Sequence, residues 1–306
     1  MSTPDLRTMV GELELNNPLI GASGTFGYGI EFDPLLDLNE IGAFVTKGLS
    51  LKPREGNPPH RVAETRSGMI NSIGLNNIGV EAFLADKLPA LARFDTHVIV
   101  NVYGKDPDDF VAVAREFKGV EGVSALEINV SCPNVDKGGL DLGTDPVEVQ
   151  KLLDKISQVS DKPLWAKLTP NITDIRSLAK AAVDGGAQAL SLINSVKATA
   201  IDLRTKTPLL SNVYGGLTGP AIKPIALAKV LEVASAMEVP IVGIGGISSG
   251  KDVMEFMLCG ASAVQIGTQN FVHTRAMVII KQELCDQLQQ QGVSKVSSLI
   301  RGLSIL

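Results

Sequence analysis

The stretch Val239-Pro240-Ile241-Val242-Gly243-Ile244-Gly245-Gly246-Ile247 is followed, one helix-length later, by Ser262-Ala263-Val264-Gln265-Ile266-Gly267-Thr268. Each is a short apolar run that ends in glycine. Runs that are continuous rather than alternating mark strands buried on both faces, and Gly250–Leu258 between them reads as a helix. Two such strands joined by a helix make a right-handed βαβ unit in a parallel sheet. Outward along the chain the pattern recurs. Pro18–Ser23, Ala43–Lys47, His97–Val102, Ala125–Val130, Pro163–Leu168 and Gln188–Ile193 read as strands, beside Val239–Ile244 and Ser262–Ile266. Val80–Arg93, Pro107–Lys118, Pro146–Val159, Asp174–Asp184 and Ile222–Met237 read as helices. Asp106-Pro107 and Asp145-Pro146 each put a capping acid before a proline at the first helical position. Asp184-Gly185-Gly186-Ala187 reads as a helix stop that feeds the next strand.

This alternation predicts an α/β protein, a closed (β/α)8 TIM barrel of eight parallel strands. A doubly wound open sheet is the structural alternative, but the first turn, Gly21-Ala22-Ser23-Gly24-Thr25-Phe26-Gly27, lacks the GxGxxG fingerprint of that fold. The 306 residues suit one barrel domain spanning 1–306. Top-face insertions are expected after strands 2, 4 and 6. Those after strands 2 and 6, Gly48–Asn77 and Asn194–Gly219, would serve as lids or substrate walls.

Composition narrows the function. A net charge of −5 argues against nucleic acid and against anionic membranes as partners. No apolar run approaches the ~20 residues that span a bilayer, and Met1–Val10 lacks a signal-peptide core. A soluble, cytoplasmic protein is expected. Cys132, Cys259 and Cys285 form no CxxC pair, and His60, His97 and His273 are far apart, so neither a disulfide frame nor a metal site is expected. Difficult chemistry would come from an organic cofactor.

Catalytic groups of such barrels sit where strands end and βα loops begin. Those positions read Ser23, Thr46-Lys47, Asn101, Asn129, Lys167, Asn194-Ser195, Gly245-Gly246 and Gly267-Thr268. Polar side chains ending apolar strands are costly unless paired. Six strands doing so together build a ring of donors around one pocket, suited to a planar ligand rich in acceptors. The glycine loops after strands 7 and 8 expose backbone N–H groups where such barrels hold phosphate. A phosphate-bearing cofactor follows. Lys47 and Lys167 would each need an anion or an electron-rich partner, and a Schiff base, a flavin and a substrate carboxylate all stay open. Cys259 and Cys285 fit core packing. Cys132, in Asn129-Val130-Ser131-Cys132-Pro133-Asn134, sits in a proline-terminated polar loop where a thiol can act as base or nucleophile. The following Asp136-Lys137-Gly138-Gly139-Leu140 suits a flap. Structural roles are expected for the histidines, with His97 beginning a strand and His273 opening a helix.

Over essentially its whole length the chain resembles the dihydroorotate dehydrogenases. The resemblance rests on Ala22-Ser23-Gly24, Thr46-Lys47, Gly56-Asn57-Pro58, Asn71-Ser72-Ile73-Gly74-Leu75 and the Asn129–Asn134 motif. It continues through Lys167-Leu168-Thr169-Pro170-Asn171, Ile193-Asn194-Ser195, the run from Gly216 to Pro224, Gly245-Gly246 and Gly267-Thr268. Individually these motifs are modest, but their order on successive strands is highly specific. The resemblance implies an FMN-containing barrel that oxidises (S)-dihydroorotate to orotate in pyrimidine biosynthesis. It implies FMN contacts from Ser23, Lys47, Gly48, Asn101, Asn129 and Lys167, and from Ile193, Gly219, Gly245, Gly246, Gly267 and Thr268. Substrate contacts fall to Lys47, Asn71, Ser72, Ile73, Gly74, Leu75, Asn129, Asn194 and Ser195. Cys132 becomes the base that removes a proton from carbon 5, while hydride leaves carbon 6 for the flavin. Orotate is flat, anionic and amide-like, which suits a lysine and several asparagines.

The membrane-associated class of that family carries a serine base and an N-terminal extension, and Cys132 sets this chain apart from it. Arg61-Val62-Ala63-Glu64-Thr65, Gly143-Thr144-Asp145-Pro146, the run from Leu168 to Ile175 and Gly260-Ala261-Ser262-Ala263-Val264 resemble the NAD-using class. In that class the catalytic subunit pairs with a partner carrying FAD and a [2Fe–2S] cluster, in a heterotetramer built on a homodimer. This chain has neither a dinucleotide fingerprint nor enough cysteines for a cluster, so any NAD chemistry belongs on another polypeptide. The alternatives are the fumarate-using homodimeric class, a Schiff-base aldolase on Lys167, and a binding scaffold without flavin.

Overall fold

The computed structural model describes residues 3–131 and 142–304. Its centre is a closed barrel of eight parallel strands: β1 (Leu19–Gly21), β2 (Ala43–Val45), β3 (His97–Val102), β4 (Ala125–Ile128), β5 (Leu164–Lys167), β6 (Ala189–Leu192), β7 (Ile241–Ile244) and β8 (Ala263–Ile266). Each pairs with the next in sequence, and β8 closes onto β1 through Val264 opposite Leu19 and Ile266 opposite Gly21. The expected TIM barrel is therefore present and the open-sheet alternative is excluded. Around the strands lie α1 (Pro107–Glu116), α2 (Pro146–Ser157), α3 (Ile175–Asp184), α4 (Lys223–Ala234), α5 (Gly250–Leu258) and α6 (Ala276–Gln290), with a helical run over 79–91 between β2 and β3.

The start signals work as read. The Asp106 carboxylate accepts from the Asp109 amide at 2.9 Å and Asp145 accepts from Val147 at 2.9 Å, each ahead of its proline. Each satisfies an orphan N–H of a first turn. Gly186 follows α3 at φ +102° and turns the chain toward β6. Outward strand residues such as Val98, Leu126, Ala166, Leu190 and Val264 join helix residues such as Leu152, Ile156, Leu178 and Phe256 in one large core. His273 differs from expectation: it ends the short helix Gln269–Val272, and α6 begins at Ala276.

Two features lie beyond the βα period. The strands Thr8–Val10 and Leu13–Leu15 form an antiparallel hairpin under the barrel. Val10 and Leu15 join the inward-facing Ile20, Ala43, Ile99, Trp165 and Val242 in a separate buried cluster. The Thr8 hydroxyl donates to the Ser262 carbonyl at 2.7 Å, and the His97 ring meets the Glu14 carbonyl at 2.8 Å, so His97 is structural as expected. Above the barrel, the insertions after β2 and β6 share one antiparallel sheet, ordered Val196–Ala198, Gly215–Thr218, Gly68–Asn71 and Val62–Thr65. Most of the expected insertion after β4, residues 132–141, lies outside the described residues. Among the described residues, no helix is long and apolar enough to cross a membrane.

Candidate active site

Side chains alternate along a strand, so residues two apart share a face. Ile99, Ala125, Trp165, Ala189 and Ala263 point into the barrel and close its lower half. Two residues further on, the same inward face carries Asn101, Glu127, Lys167, Ser191 and Gln265, all buried. Glu127, fully enclosed, is the hub. Its Oε1 accepts from Asn101 Nδ2 at 2.8 Å and lies 3.4 Å from Lys167 Nζ. Its Oε2 accepts from Ser191 Oγ at 2.8 Å and from Gln265 Nε2 at 2.5 Å. A buried carboxylate is tolerable only when its lone pairs are met in this way. Lys167 Nζ also donates to Ser23 Oγ at 2.9 Å.

Above this layer opens a cavity lined by Lys167 and Ser23, by Ile193-Asn194-Ser195, and by three loops at Gly219, Gly245-Gly246 and Gly267-Thr268. Gly246 sits at φ +71°, where a side chain is strained. A Cβ there would come within 2.9 Å of the Gly219 carbonyl and 2.7 Å of Lys223 Cβ, so two of the loops touch only because the residue is glycine. At Gly267 a Cβ would meet nothing nearer than 3.7 Å, leaving the backbone there open to a ligand. Lys223 anchors this corner: its Nζ donates to Asp252 at 2.6 Å and to Glu255 at 2.8 Å, while Asp252 also accepts from the Ser248 amide. Burial pushes the Asp252 carboxyl up, but the Lys223 ammonium and the serine donors bring it net below the usual carboxylate range.

Among the described residues, none of the remaining predicted ones lines this cavity, and of them Asn129 touches a lining side chain, Asn194. Asn194 Nδ2 donates to Asn129 Oδ1 at 3.3 Å, and Asn194 Oδ1 accepts from the Ser195 amide. Gly48 lies beside Asn101, whose Oδ1 would be 2.8 Å from a Cβ at that position. Lys47 is half-buried and donates to Asn76 Oδ1 at 3.1 Å. Burial, helped by the charge of Arg61, lowers its pKa below the ordinary lysine value. Asn71 reaches the Gly216 carbonyl across the covering sheet. The loop of Ser72, Ile73, Gly74 and Leu75 is clamped by Asn57, whose amide donates to the Ile73 carbonyl and whose side chain donates to Ser72. Leu75 holds a left-handed φ of +59°, a conformation that clusters at ligand clamps.

Cys132, the expected base, lies outside the described residues. Its neighbour Ser131 is buried, and its hydroxyl donates to the Lys167 carbonyl at 2.7 Å, which ties the start of that loop to β5. Cys259 and Cys285 are half-buried, and burial pushes both thiols up. Both fit inert packing.

With this geometry in view, the comparison with known families is decisive: the family model described as dihydroorotate dehydrogenase matches residues 5–288. The chain belongs to the dihydroorotate dehydrogenase family. A Pelobacter propionicus protein named dihydroorotate dehydrogenase B (NAD(+)), catalytic subunit, is 50% identical over 300 residues, covering 98% of this chain and 99% of the relative. A Geobacter protein of the same name is 48% identical over 305 residues and covers both chains fully. A Solibacter usitatus protein with a provisional name of the A type (fumarate) is also 48% identical, over 298 residues, covering 97% of this chain and 98% of the relative.

Reading strand ends alone missed Glu127, Ser191 and Gln265, which lie one pleat repeat below the mouth. The signal was present. A glutamate in the apolar run Ala125–Val130 has no place in a barrel interior unless several donors surround it.

Proposed function

We propose that this chain, as one barrel domain spanning residues 1–306, oxidises dihydroorotate to orotate with FMN held across the barrel mouth. The observation that carries the reading is the sealed polar layer around Glu127 and Lys167, lying under three converging glycine loops. The donor set suits FMN: an ammonium (Lys167), a hydroxyl (Ser23), asparagine amides (Asn101, Asn129) and open backbone at Gly245, Gly246, Gly267 and Thr268. Gly48, Ile193 and Gly219 complete its walls. FMN, when bound, supplies the hydride acceptor. Lys47 meets the substrate carboxylate, and Asn71, Asn129, Asn194 and Ser195 meet the ring edges, with the loop from Ser72 to Leu75 closing the site. Cys132 takes the proton from carbon 5. The covering sheet keeps water from the reacting atoms.

The names of the relatives at 50% and 48% identity support an NAD-linked catalytic subunit with a partner subunit, and the sequence resemblance extends the proposal to a partner carrying FAD and a [2Fe–2S] cluster in a cytoplasmic heterotetramer. One observation favours a second reading: a relative at 48% identity carries the A-type name, so overall similarity does not separate the acceptors. Anaerobic addition of dihydroorotate to the purified chain should bleach the flavin's visible band. If fumarate then fails to restore the band, the NAD-linked subunit stands; rapid recovery moves the chain to the fumarate-using class. A colourless protein that cannot be refilled with FMN overturns the proposal altogether.

A further inference from the structure

We propose that Glu127 is a positioning residue that sets the charge and donor pattern under the flavin. The inference deepens the FMN reading and rests on it.

Glu127 touches two side chains to which that reading gives FMN contacts, and reaches a third through one of them. Because an ionised carboxylate only accepts hydrogen bonds, Asn101 must turn its Nδ2 inward to Glu127 at 2.8 Å. Its Oδ1 is thereby fixed on the other side, next to Gly48, so the amide's orientation, and with it the acceptor that faces Gly48, is set by Glu127. Lys167 is held between Glu127 Oε1 and Ser23 Oγ, which fixes both its reach and the direction of the serine hydroxyl. Ser191 and Gln265 have no assigned ligand contact. They close the far side of the carboxylate and keep it from turning away.

The electrostatic consequence is specific. Lys167 lines the cavity while its counter-ion sits beneath it, out of water, where charge is poorly screened. An unopposed ammonium at this place would favour reduced FMN, because reduction adds electron density to the ring. Glu127 offsets that charge and holds the flavin less oxidising than Lys167 alone would make it.

Glu127→Gln keeps the shape and removes the charge. In the FMN-loaded protein, the ratio of reduced to oxidised FMN affinity should rise roughly tenfold, an upward shift of about 30 mV in the two-electron midpoint potential. Lys167→Met should shift it down, and Lys167→Met/Glu127→Gln should return it to within about threefold of the parent ratio, near 15 mV. A merely structural role weakens both redox forms alike and leaves the potential in place. An unmoved potential in yellow, folded Glu127→Gln protein therefore overturns the inference. Should that variant not fold, the Lys167→Met background carries the test, and failure of the second substitution to reverse the downward shift overturns it equally. A parent protein that takes up no FMN breaks the underlying reading instead.

Discussion

At the level of Ile99, Ala125, Trp165, Ala189 and Ala263 the inward side chains are apolar and close against Val10 and Leu15 of the N-terminal hairpin. One pleat repeat higher, on the same five strands, Asn101, Glu127, Lys167, Ser191 and Gln265 are polar and just as thoroughly removed from water. Both layers fill the same tube, yet they are held by different physics. The lower one is stabilised by apolar area and close packing, which are local and divisible. The upper one is stable only as a set, because each member satisfies another and removal of one strands the rest. Barrels of this fold put chemistry at the top, and here a ligand can enter there as one more member of a polar set, whereas the packed apolar layer has no vacancy to offer.

The largest expected effects test this difference through rescue. Trp165→Ala should cost about 3–5 kcal/mol and lower the melting temperature by roughly 10 °C. Lys167→Met should cost a similar ~3–5 kcal/mol by leaving Glu127 uncompensated. Adding Glu127→Gln to Lys167→Met should recover much of the loss in denaturant unfolding, while no single second change recovers Trp165→Ala. If the double variant is as unstable as the sum of its parts, the upper layer is not a set.

Next in size, Leu15→Ala in the N-terminal hairpin should cost roughly 2–4 kcal/mol. The FMN spectrum and midpoint potential should stay at parent values, and a shift in either would show the two layers to be coupled. Gly246→Ala places a Cβ against Lys223 and the Gly219 carbonyl at a left-handed φ, for a cost of about 1–3 kcal/mol. Its larger signature should be FMN retention, read by equilibrium dialysis. Retention at the parent level would remove the contact between the two loops from the binding argument.

The smallest effect concerns Lys47. Burial first, and the Arg61 charge second, hold its pKa below the ordinary lysine value of 10.5, so it releases its proton early as pH rises. In that window the unfolded chain binds more protons than the folded one, and this group's contribution to stability grows with pH. If Lys47 meets the substrate carboxylate as proposed, orotate affinity should run the other way: full while Lys47 is charged, and lost as pH climbs toward 10.5. Spectral titration of the flavin with orotate across this range should show the decline, and Lys47→Arg should hold affinity to higher pH. A flat profile in the parent would detach Lys47 from the carboxylate.

Much of this was legible in the sequence. His97–Val102 and Gly250–Leu258 have the bounds their patterns predict, since a strand buried on both faces and a well-capped helix carry their own signals. The glycine loops converge as expected, because the barrel period alone places strands 7 and 8 side by side. The covering sheet was not legible: Leu217 pairs with Ile70 across a gap in sequence that no local propensity encodes. Glu127 escaped for another reason. Its meaning depends on four partners from four other strands, and it appears only once the register brings them to one height.

The N-terminal hairpin bears on how such a chain is made. Strand β1 has β8 as one of its two neighbours, so Leu19 must wait for Val264 before its ladder is complete. The Asp5 amide and carbonyl are bound by Ser294 and Val296, which extends the wait beyond α6. With its closing contacts among the longest in sequence separation, the chain should fold slowly. During synthesis the apolar undersides of the early βα units stay open to solvent until the ribosome has delivered the eighth strand. The seam that makes the finished barrel free of edges is thus also the last part of it to close.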